Sequence, residues 1–427
     1  MDFCKKILQQ PFWCKYKVVF TVWMLMVIIS VGLHMHNFNN YLIYKFTFWH
    51  AYDGTSLYAA YPEDHYDVNH YGPVFSLIMA PFAVIPSLWV GVFLWHLVLA
   101  LFLWWAIRQS TFSWIQQVVI FWFTAHEMLN ALGMSQFNVA TAAMILLSYM
   151  SIRRGKDMWG AFWIVLGTLI KLYGIVGLAF FFFTKSKPKF LMWLVIWTVV
   201  LIAVPMLFFG VQYEINQYHE WFSCLMEKGG ENALSDFQNI SLLGFVRKIG
   251  YACSAGLDSY YDVFWRRSVP DASNWWMSTW NDLWLILPGL CYGALPYLRI
   301  RQYRSYPFQL MCLASVLMFV NIFSTGSENS SYIISMLGVA IWYIGVPWQR
   351  SRLDTALLIF CFFLTSLSPT DLFPAYLRTH WIRPFALKSI PVVLIWLQLV
   401  YEMLTRDYMT DNIKYNDSEE DTLLLAK

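Results

Sequence analysis

The sequence predicts an all-α integral membrane protein, a bundle of about twelve transmembrane helices with a large external loop after the first. Three observations carry that prediction. Hydrophobic residues make up 59% of the chain and charged residues only 13%, about half the charged share of an ordinary soluble domain. The apolar runs are bounded by clusters of lysine and arginine, as the cytoplasmic ends of membrane helices are. Between the first two runs lies a polar stretch, residues 34–71, that holds His36, Asp53, Glu63, Asp64, His65, Asp67 and His70. Membrane burial does not call for such residues, so aqueous chemistry is expected there.

The first apolar run, 18–33, follows Lys5, Lys6, Lys15 and Lys17 and lacks a small-residue cleavage site, which makes it a signal anchor rather than a removable leader. The next stretch contains two runs, 73–84 and 90–107, split by Pro86. Lys17 and Arg153 both belong in the cytoplasm, so this stretch crosses an odd number of times. The first run is therefore read as a short interfacial or re-entrant helix, and the second as the crossing one. Further spans are expected at 112–129, 139–152, 159–170, 173–183, 190–209, 283–298, 307–323, 333–346, 356–367 and 391–404. Parity places Lys171 at the outer end of a short hairpin, 159–183, because a lysine in the middle of one long span would cost a few kcal/mol, about 3 on insertion scales.

The expected cytoplasmic clusters are 5–17, 153–156, 185–189, 299–304 and 350–352; the polar segments 34–71, 133–138, 211–282 and 324–331 belong on the other side. The chain thus divides into one polytopic domain, 1–406, with external loops 34–72 and 211–282, and an acidic cytoplasmic tail, 407–427, of disordered composition. A short amphipathic helix is expected at 215–226. A net charge of +3, with basic residues between apolar runs rather than on one face, excludes nucleic acid as a partner. Of seven cysteines, Cys224 and Cys253 fall in the long second loop; they either pair in an oxidising compartment or remain free. No metal-ligand spacing occurs.

Several constellations can carry chemistry. The acidic run Glu63-Asp64-His65-Tyr66-Asp67 follows Pro62, and close carboxylates can serve as base for a hydroxyl nucleophile; ordinary solvated carboxylates are the plainer alternative. Aromatic residues at helical spacing over 41–52 suggest a helix lying in the interface. Glu127, beside His126, interrupts an apolar run, and an intramembrane carboxylate is a functional candidate, with a hydrogen-bonded helix-end residue as its alternative. Gly133, Ser135, Gln136 and Asn138 form a turn with neutral donors and acceptors suited to sugar hydroxyls. Lys171 supplies a point charge at the level of a lipid phosphate, or merely snorkels to the interface. Segments 238–244, with Ser241, and 325–331, with Glu328, lie on the same side as the first loop. Arg247, Arg378 and Arg383 are further phosphate candidates.

In order along the chain, Asn40-Tyr41-x-x-Tyr44, Gly54-x-x-Leu57-Tyr58, Tyr71-Gly72-Pro73-x-Phe75, Ser135-Gln136-x-Asn138, Ile170-Lys171-Leu172-Tyr173-Gly174 and Ser241-Leu242-Leu243-Gly244 resemble glycosyltransferase family 87. These are the alpha-mannosyltransferase-like, polyprenyl-phosphate-dependent enzymes of the GT-C fold, and the chain looks closest to their Bacteroidetes-like branch. The resemblance covers roughly residues 39–343. It implies a GT-C-like bundle in the bacterial inner membrane, with its active face periplasmic and no cofactor beyond the donor substrate. The partners it implies are the lipid bilayer, a polyprenyl-phosphate sugar donor and a glycan or glycolipid acceptor. In the family the first loop holds an aspartate considered the general base; here that place is Asn40, and an amide cannot accept the proton. Glu63, Asp64 and Asp67 share the loop, and Asp53 precedes Gly54. A second departure is Thr325-Gly326, where a His-Lys pair tends to precede the acidic residue.

The reading that follows is a hexosyltransferase, by analogy for mannose, acting by direct inverting displacement. Glu63 or Asp67 would be the base and Lys171 the phosphate partner. Glu127, Gln136, Asn138, Ser241 and Glu328 would make sugar or headgroup contacts. Two rivals remain open: a transporter or flippase for a lipid-linked sugar, against which the lack of internal repeats speaks, and an inactive scaffold in envelope polysaccharide assembly, which Asn40 keeps open.

Overall fold

In the computed structural model the described residues are 12–33, 38–232, 234–235, 237–266 and 274–409. They form helices and connecting loops, with no strand among them. His34, His36, Lys5, Lys6 and the acidic run 411–421 lie outside the described residues. The chain divides into two compact units, Met1–Glu227 and Lys228–Lys427, and the division falls within the second of the two expected loops.

The first unit begins with α1 (Tyr16–Leu33), α2 (Asn39–Tyr52), α3 (Val74–Ala83) and α4 (Leu88–Arg108). Pro73 starts α3, and Ser87 caps α4 by accepting from the Val90 amide, so the break at Pro86 does divide a short helix from a long one. The helix expected to lie in the interface is α2, but Tyr41, Ile43, Tyr44, Thr47, His50 and Ala51 are all buried. It is a packed element, seated against α3, because its aromatics cover more than one face. α5 (Trp114–Gly133) opens with a capping box between Ser113 and Gln116, and α6 (Asn138–Arg153) is buried along most of its length.

α7 (Asp157–Ile170) and a 3₁₀ helix, Leu172–Phe183, make the expected hairpin, with Lys171 extended between them at φ −144°, ψ 123°. Two glycines set its geometry. A Cβ on Gly174 would come within 2.3 Å of the Thr168 amide nitrogen, so the returning arm lies directly on α7. One on Gly72 would sit 1.9 Å from the Leu169 carbonyl oxygen, and the Gly72 amide donates to Ile170 O at 3.0 Å. The first loop is thereby fastened beside Lys171. α8 (Lys187–Phe209) buries little but Phe190 and Pro205, as expected of a helix facing lipid. After Gly210, α9 (Val211–Glu231) covers the expected amphipathic helix and extends it at both ends.

The second unit contains α10 (Leu242–Ala255), α11 (Leu257–Arg266), α12 (Leu283–Ala294), α13 (Tyr306–Ile322), α14 (Tyr332–Ile344), α15 (Arg352–Cys361) and α16 (Ile390–Thr405). α13 and α14 are almost wholly buried and form its centre. The segment expected as a loop has a core of its own, in which Tyr251, Tyr260, Phe264 and Phe385 pack together. A buried ion pair ties α14 to α16: Arg350 Nη1 donates to both Glu402 oxygens at 3.1 and 2.9 Å, under the Trp342 ring at 4.5 Å. At the start of the tail, Tyr408 is buried and Asp407 accepts from Gln302 at 2.7 Å, so 407–409 are packed rather than free.

Every apolar run read from the sequence is helical. Among the described residues, four helices are by length and composition able to cross a membrane: Tyr16–Leu33, Leu88–Arg108, Lys187–Phe209 and Leu387–Thr405. Apolar helices of ten to seventeen residues, among them Asp157–Ile170 and Tyr306–Ile322, are shorter. Those can span only with ends shielded by protein, so hydropathy supports four crossings directly and leaves the total of about twelve to the shorter segments. No disulfide joins Cys224 and Cys253.

Candidate active site

In the first unit the turn between α5 and α6 is the anchor. Ser135 sits in the left-handed region at φ 52°, a conformation that costs a side-chain-bearing residue about 1 kcal/mol or more. Two groups from α4 hold it there: Trp95 Nε1 donates to Ser135 O at 3.0 Å, and His96 Nε2 lies 2.9 Å from Ser135 Oγ. His96 is itself fixed by Ser30 of α1 at 2.9 Å. Asn40 closes the turn from α2, donating to Met134 O at 2.8 Å. The Asn40 NH₂ is thus engaged with the turn.

The turn aims Gln136 and Asn138 at the first loop and Lys171. Tyr44 and Tyr71 place their hydroxyls 3.1 and 2.9 Å from Gln136 Oε1 and 3.1 Å from each other. Lys171 Nζ donates to Asn138 Oδ1 at 2.8 Å and lies 5.8 Å from the Tyr71 ring centre and 4.7 Å from that of Tyr173. Gln136 and Asn138, proposed together, and Lys171, proposed separately, converge beside Tyr71.

The acidic run is dispersed. Glu63 and Asp67 are exposed, and Asp67 Oδ1 accepts from the Val68 amide at 2.9 Å. Asp64 is half-buried against His50, whose Nε2 is 3.3 Å away and whose ring stacks on Tyr61 at 3.7 Å. Burial outweighs Asp64 and holds the His50 imidazole below its ordinary range, so the neutral ring acts as donor. His65 is buried with Nδ1 2.6 Å from Asp67 O. Glu127 is fully buried; Asn130, one turn on, donates to it at 3.3 Å, and His126 Nδ1 is 3.9 Å away.

Sequence reasoning expected the amphipathic helix but not its place: α9 lies on the first loop. Gln217 Oε1 accepts from the Leu57 amide at 2.7 Å, Tyr213 donates to Thr55 O at 2.7 Å, and Trp221 Nε1 donates to His70 O at 3.0 Å. Ser56 Oγ donates to Glu220, and Cys224 Sγ lies 3.1 Å from His70 Nδ1. On the same face Glu214 is fully buried, and neither of its oxygens has a hydrogen-bond partner among the described residues. Burial pushes its carboxyl up to about 7. The Tyr218 hydroxyl, one turn on, is likewise buried without a partner there. Tyr58, whose hydroxyl donates to Tyr71 O at 2.9 Å, links this face to Gln136 and Lys171. The signal was present: Glu214, Gln217 and Trp221 form an i, i+3, i+7 stripe, and the stripe of an amphipathic helix is its buried side.

Within the second unit, the two segments expected together are paired: the Asn239 amide donates to Thr325 O at 3.0 Å and the Ile240 amide to Ser327 O at 2.9 Å. Ser241 caps α10, accepting from the Gly244 amide at 3.0 Å and donating to Asn239 Oδ1 at 2.8 Å. Glu328 caps the 3₁₀ turn Asn329–Ser331. Two buried lysines not singled out from the sequence stand here: Lys388 Nζ donates to Asn329 O at 3.2 Å and Lys248 Nζ to Gln238 O at 3.3 Å. The proposed arginines are engaged otherwise. Arg247 is buried on Asp282, Arg378 pairs with Asp371 at 2.6 Å, and Arg383 lies 4.7 Å over the Phe237 ring.

Among curated proteins no relative matches the chain. The model of glycosyltransferase family 87 matches residues 69–325, a span that includes Tyr71, Gln136, Asn138, Lys171, Glu214 and Ser241 and more than half of the 427 residues. The apolar helices agree with the membrane setting of such enzymes, and the chain belongs to glycosyltransferase family 87, as a membrane glycosyltransferase.

Proposed function

We propose that the protein transfers a hexose, by analogy mannose, from a polyprenyl-phosphate donor to an envelope glycan or glycolipid. The reaction occurs at the periplasmic face of a bacterial inner membrane and needs no cofactor. The observation that carries this reading is the convergence of Lys171, Asn138, Gln136, Tyr44 and Tyr71 at the break in the α7 hairpin. A lysine at that point offers a compact charge to a lipid phosphate arriving from the bilayer. The amides and phenols beside it are the neutral donors and acceptors that sugar hydroxyls need. Asn138 holds the ammonium in place, so the cation is positioned before the donor arrives, and such preorganisation favours the transition state in which charge gathers on the leaving phosphate.

In this reading the acceptor oxygen attacks the anomeric carbon directly, and a carboxylate on the first-loop side takes its proton. Glu63, Asp64 and Asp67 of the first loop are candidates for that carboxylate, and Asn40 holds the catalytic place that an aspartate takes in the family. Ser241 and Glu328 order segments that contribute to substrate binding, and Glu127 acts through the helix that carries the Gln136 turn. The polytopic domain is 1–406, with 34–72 and 211–282 external and 407–427 cytoplasmic. Purified protein in detergent, given a polyprenyl-phosphate hexose and a glycolipid acceptor, should release polyprenyl phosphate and form a glycoside of inverted anomeric configuration. Transbilayer movement of the donor without glycoside formation would favour the flippase reading. Neither activity with any such donor would leave the scaffold.

A further inference from the structure

The polar groups by which α9 grips the first loop are matched one to one, except at a single place. Gln217, Trp221, Tyr213 and Glu220 each meet a named atom of the loop. Glu214, in the same stripe and fully buried, meets none among the described residues, and neither does the Tyr218 hydroxyl beside it. An apolar residue would pack there at no cost. An ionised carboxylate so placed costs several kcal/mol, roughly 3 or more, unless it is protonated or acquires a partner. The groups that face it are the phenols of Tyr58 from the loop and of Tyr213 and Tyr218 from its own helix, and burial raises the ionisation of all three above the ordinary phenol range. They remain neutral, so nothing beside Glu214 competes for its proton.

The place is also connected. Tyr58 bonds to Tyr71, and Tyr71 bonds to Gln136 and stands under Lys171. A substrate with its phosphate at Lys171 and its sugar along Tyr71 would bring an acceptor hydroxyl toward the seam between the first loop and α9. Glu63 and Asp67 face solvent instead. Entry to the seam requires α9 to lift from the loop. Gly210, at φ 96° with open space around it, joins α9 to the lipid-facing α8 and provides the pivot.

We propose that Glu214 is the proton acceptor of the transfer reaction. As the acceptor oxygen forms its bond to the anomeric carbon, Glu214 takes that oxygen's proton. The bond from the anomeric carbon to the phosphate oxygen breaks, and its electron pair leaves on the lipid phosphate beside Lys171. Tyr218 positions the acceptor hydroxyl. A carboxyl whose ionisation lies close to the working pH is suited to that task, and burial puts Glu214 at about 7.

This inference rests on the glycosyltransferase reading above, and the test separates the two. The assay is glycoside formation by the purified full chain from a polyprenyl-phosphate hexose, with kcat and KM followed from pH 5 to 9. Glu214→Gln should lower kcat by about 10²–10⁴-fold while leaving the donor KM within a few-fold. The acid limb expected near pH 7 in the unmodified enzyme should vanish from the residual activity. Glu214→Asp, which keeps the carboxylate, should recover part of kcat and retain an acid limb. If Glu214→Gln does not fold, an acid limb in Glu214→Asp displaced from that of the unmodified enzyme supports the assignment, and an unmoved limb overturns it. Full turnover by Glu214→Gln overturns this inference and leaves the transferase reading standing. Absence of transfer by the unmodified protein overturns both.

Discussion

Replacing Glu214 by glutamine should change how stability depends on pH, whatever the substrate. A glutamate carboxyl ordinarily ionises near 4.5, and burial pushes Glu214 to about 7. The folded protein therefore holds this proton more tightly than the unfolded chain does. The stability so contributed is present in full below about pH 4.5 and is lost as the pH rises through about 7. At roughly 1.4 kcal/mol for each pH unit between the two values, the ionised fold at pH 8 carries a penalty of at most about 3 kcal/mol, and about 2 once water entering the seam screens the charge. Glutamine keeps the shape and cannot ionise. Its amide also lacks partners in this site, but that cost does not vary with pH and cancels when the difference between variant and parent is followed. A stability change of this size moves the melting temperature of a unit of about 200 residues by roughly 4–8 °C. Intrinsic tryptophan fluorescence during a thermal ramp in detergent at pH 5, 6, 7 and 8 reports it directly. The variant should gain on the parent by that amount between pH 5 and 8, with most of the gain between 5 and 7. A difference that stays flat across the range would mean that Glu214 is solvated or paired in solution, and the argument from its burial would collapse.

Lys171→Met should raise the KM for a polyprenyl-phosphate donor about tenfold or more, the worth of a charged hydrogen bond, with a fall of roughly 2–6 °C in melting temperature because the buried Asn138 Oδ1 loses this donor; an unaltered KM would remove Lys171 from donor binding. Glu402→Gln removes the nearer partner of the Arg350 guanidinium beneath Trp342, leaving Asp354 at 3.9 Å, and should cost about 3 kcal/mol, and adding Arg350→Met should restore part of the loss in melting temperature; a variant as stable as the parent would show the pair to be idle. In a background without native cysteines, single cysteines at the exposed positions Ala59 and Ser223 should react with an impermeant maleimide from outside, and those at Ser186 and Ser351 only after permeabilisation. Labelling of Ser186 in intact cells would invert the proposed orientation.

What the sequence could tell depended on the range over which each feature is determined. Helix ends are local: an apolar run stops where charge, proline or a capping serine stops it, so Lys187–Phe209 and Tyr306–Ile322 fall within about three residues of where hydropathy puts them. The break at Lys171 was also legible, because a lysine flanked by two runs of about twelve apolar residues cannot rest in the middle of a span. Distance in sequence hid the rest. The Ser135 turn depends on His96 and Ser30, and Lys388 reaches Asn329 across fifty-nine positions. α2 read as an interfacial helix because its aromatics suit that role; only the placement of α3 buries them.

The acidic residues carry the more general argument. A run such as Glu63-Asp64-His65-Tyr66-Asp67 attracts attention because its charges are adjacent, yet adjacent side chains point in different directions. One of the three carboxylates, the half-buried Asp64, reaches the buried His50, and two are exposed. Glu214 looks unremarkable between Tyr213 and Ile215. Its phase with Gln217 and Trp221 nevertheless puts it on the one face of α9 that must be buried if the helix is to hold the loop. A carboxylate that must change its protonation during a reaction needs enclosure more than company, since enclosure brings its ionisation toward neutrality. Phase within a single amphipathic helix is therefore a better guide to such a residue than local density of charge.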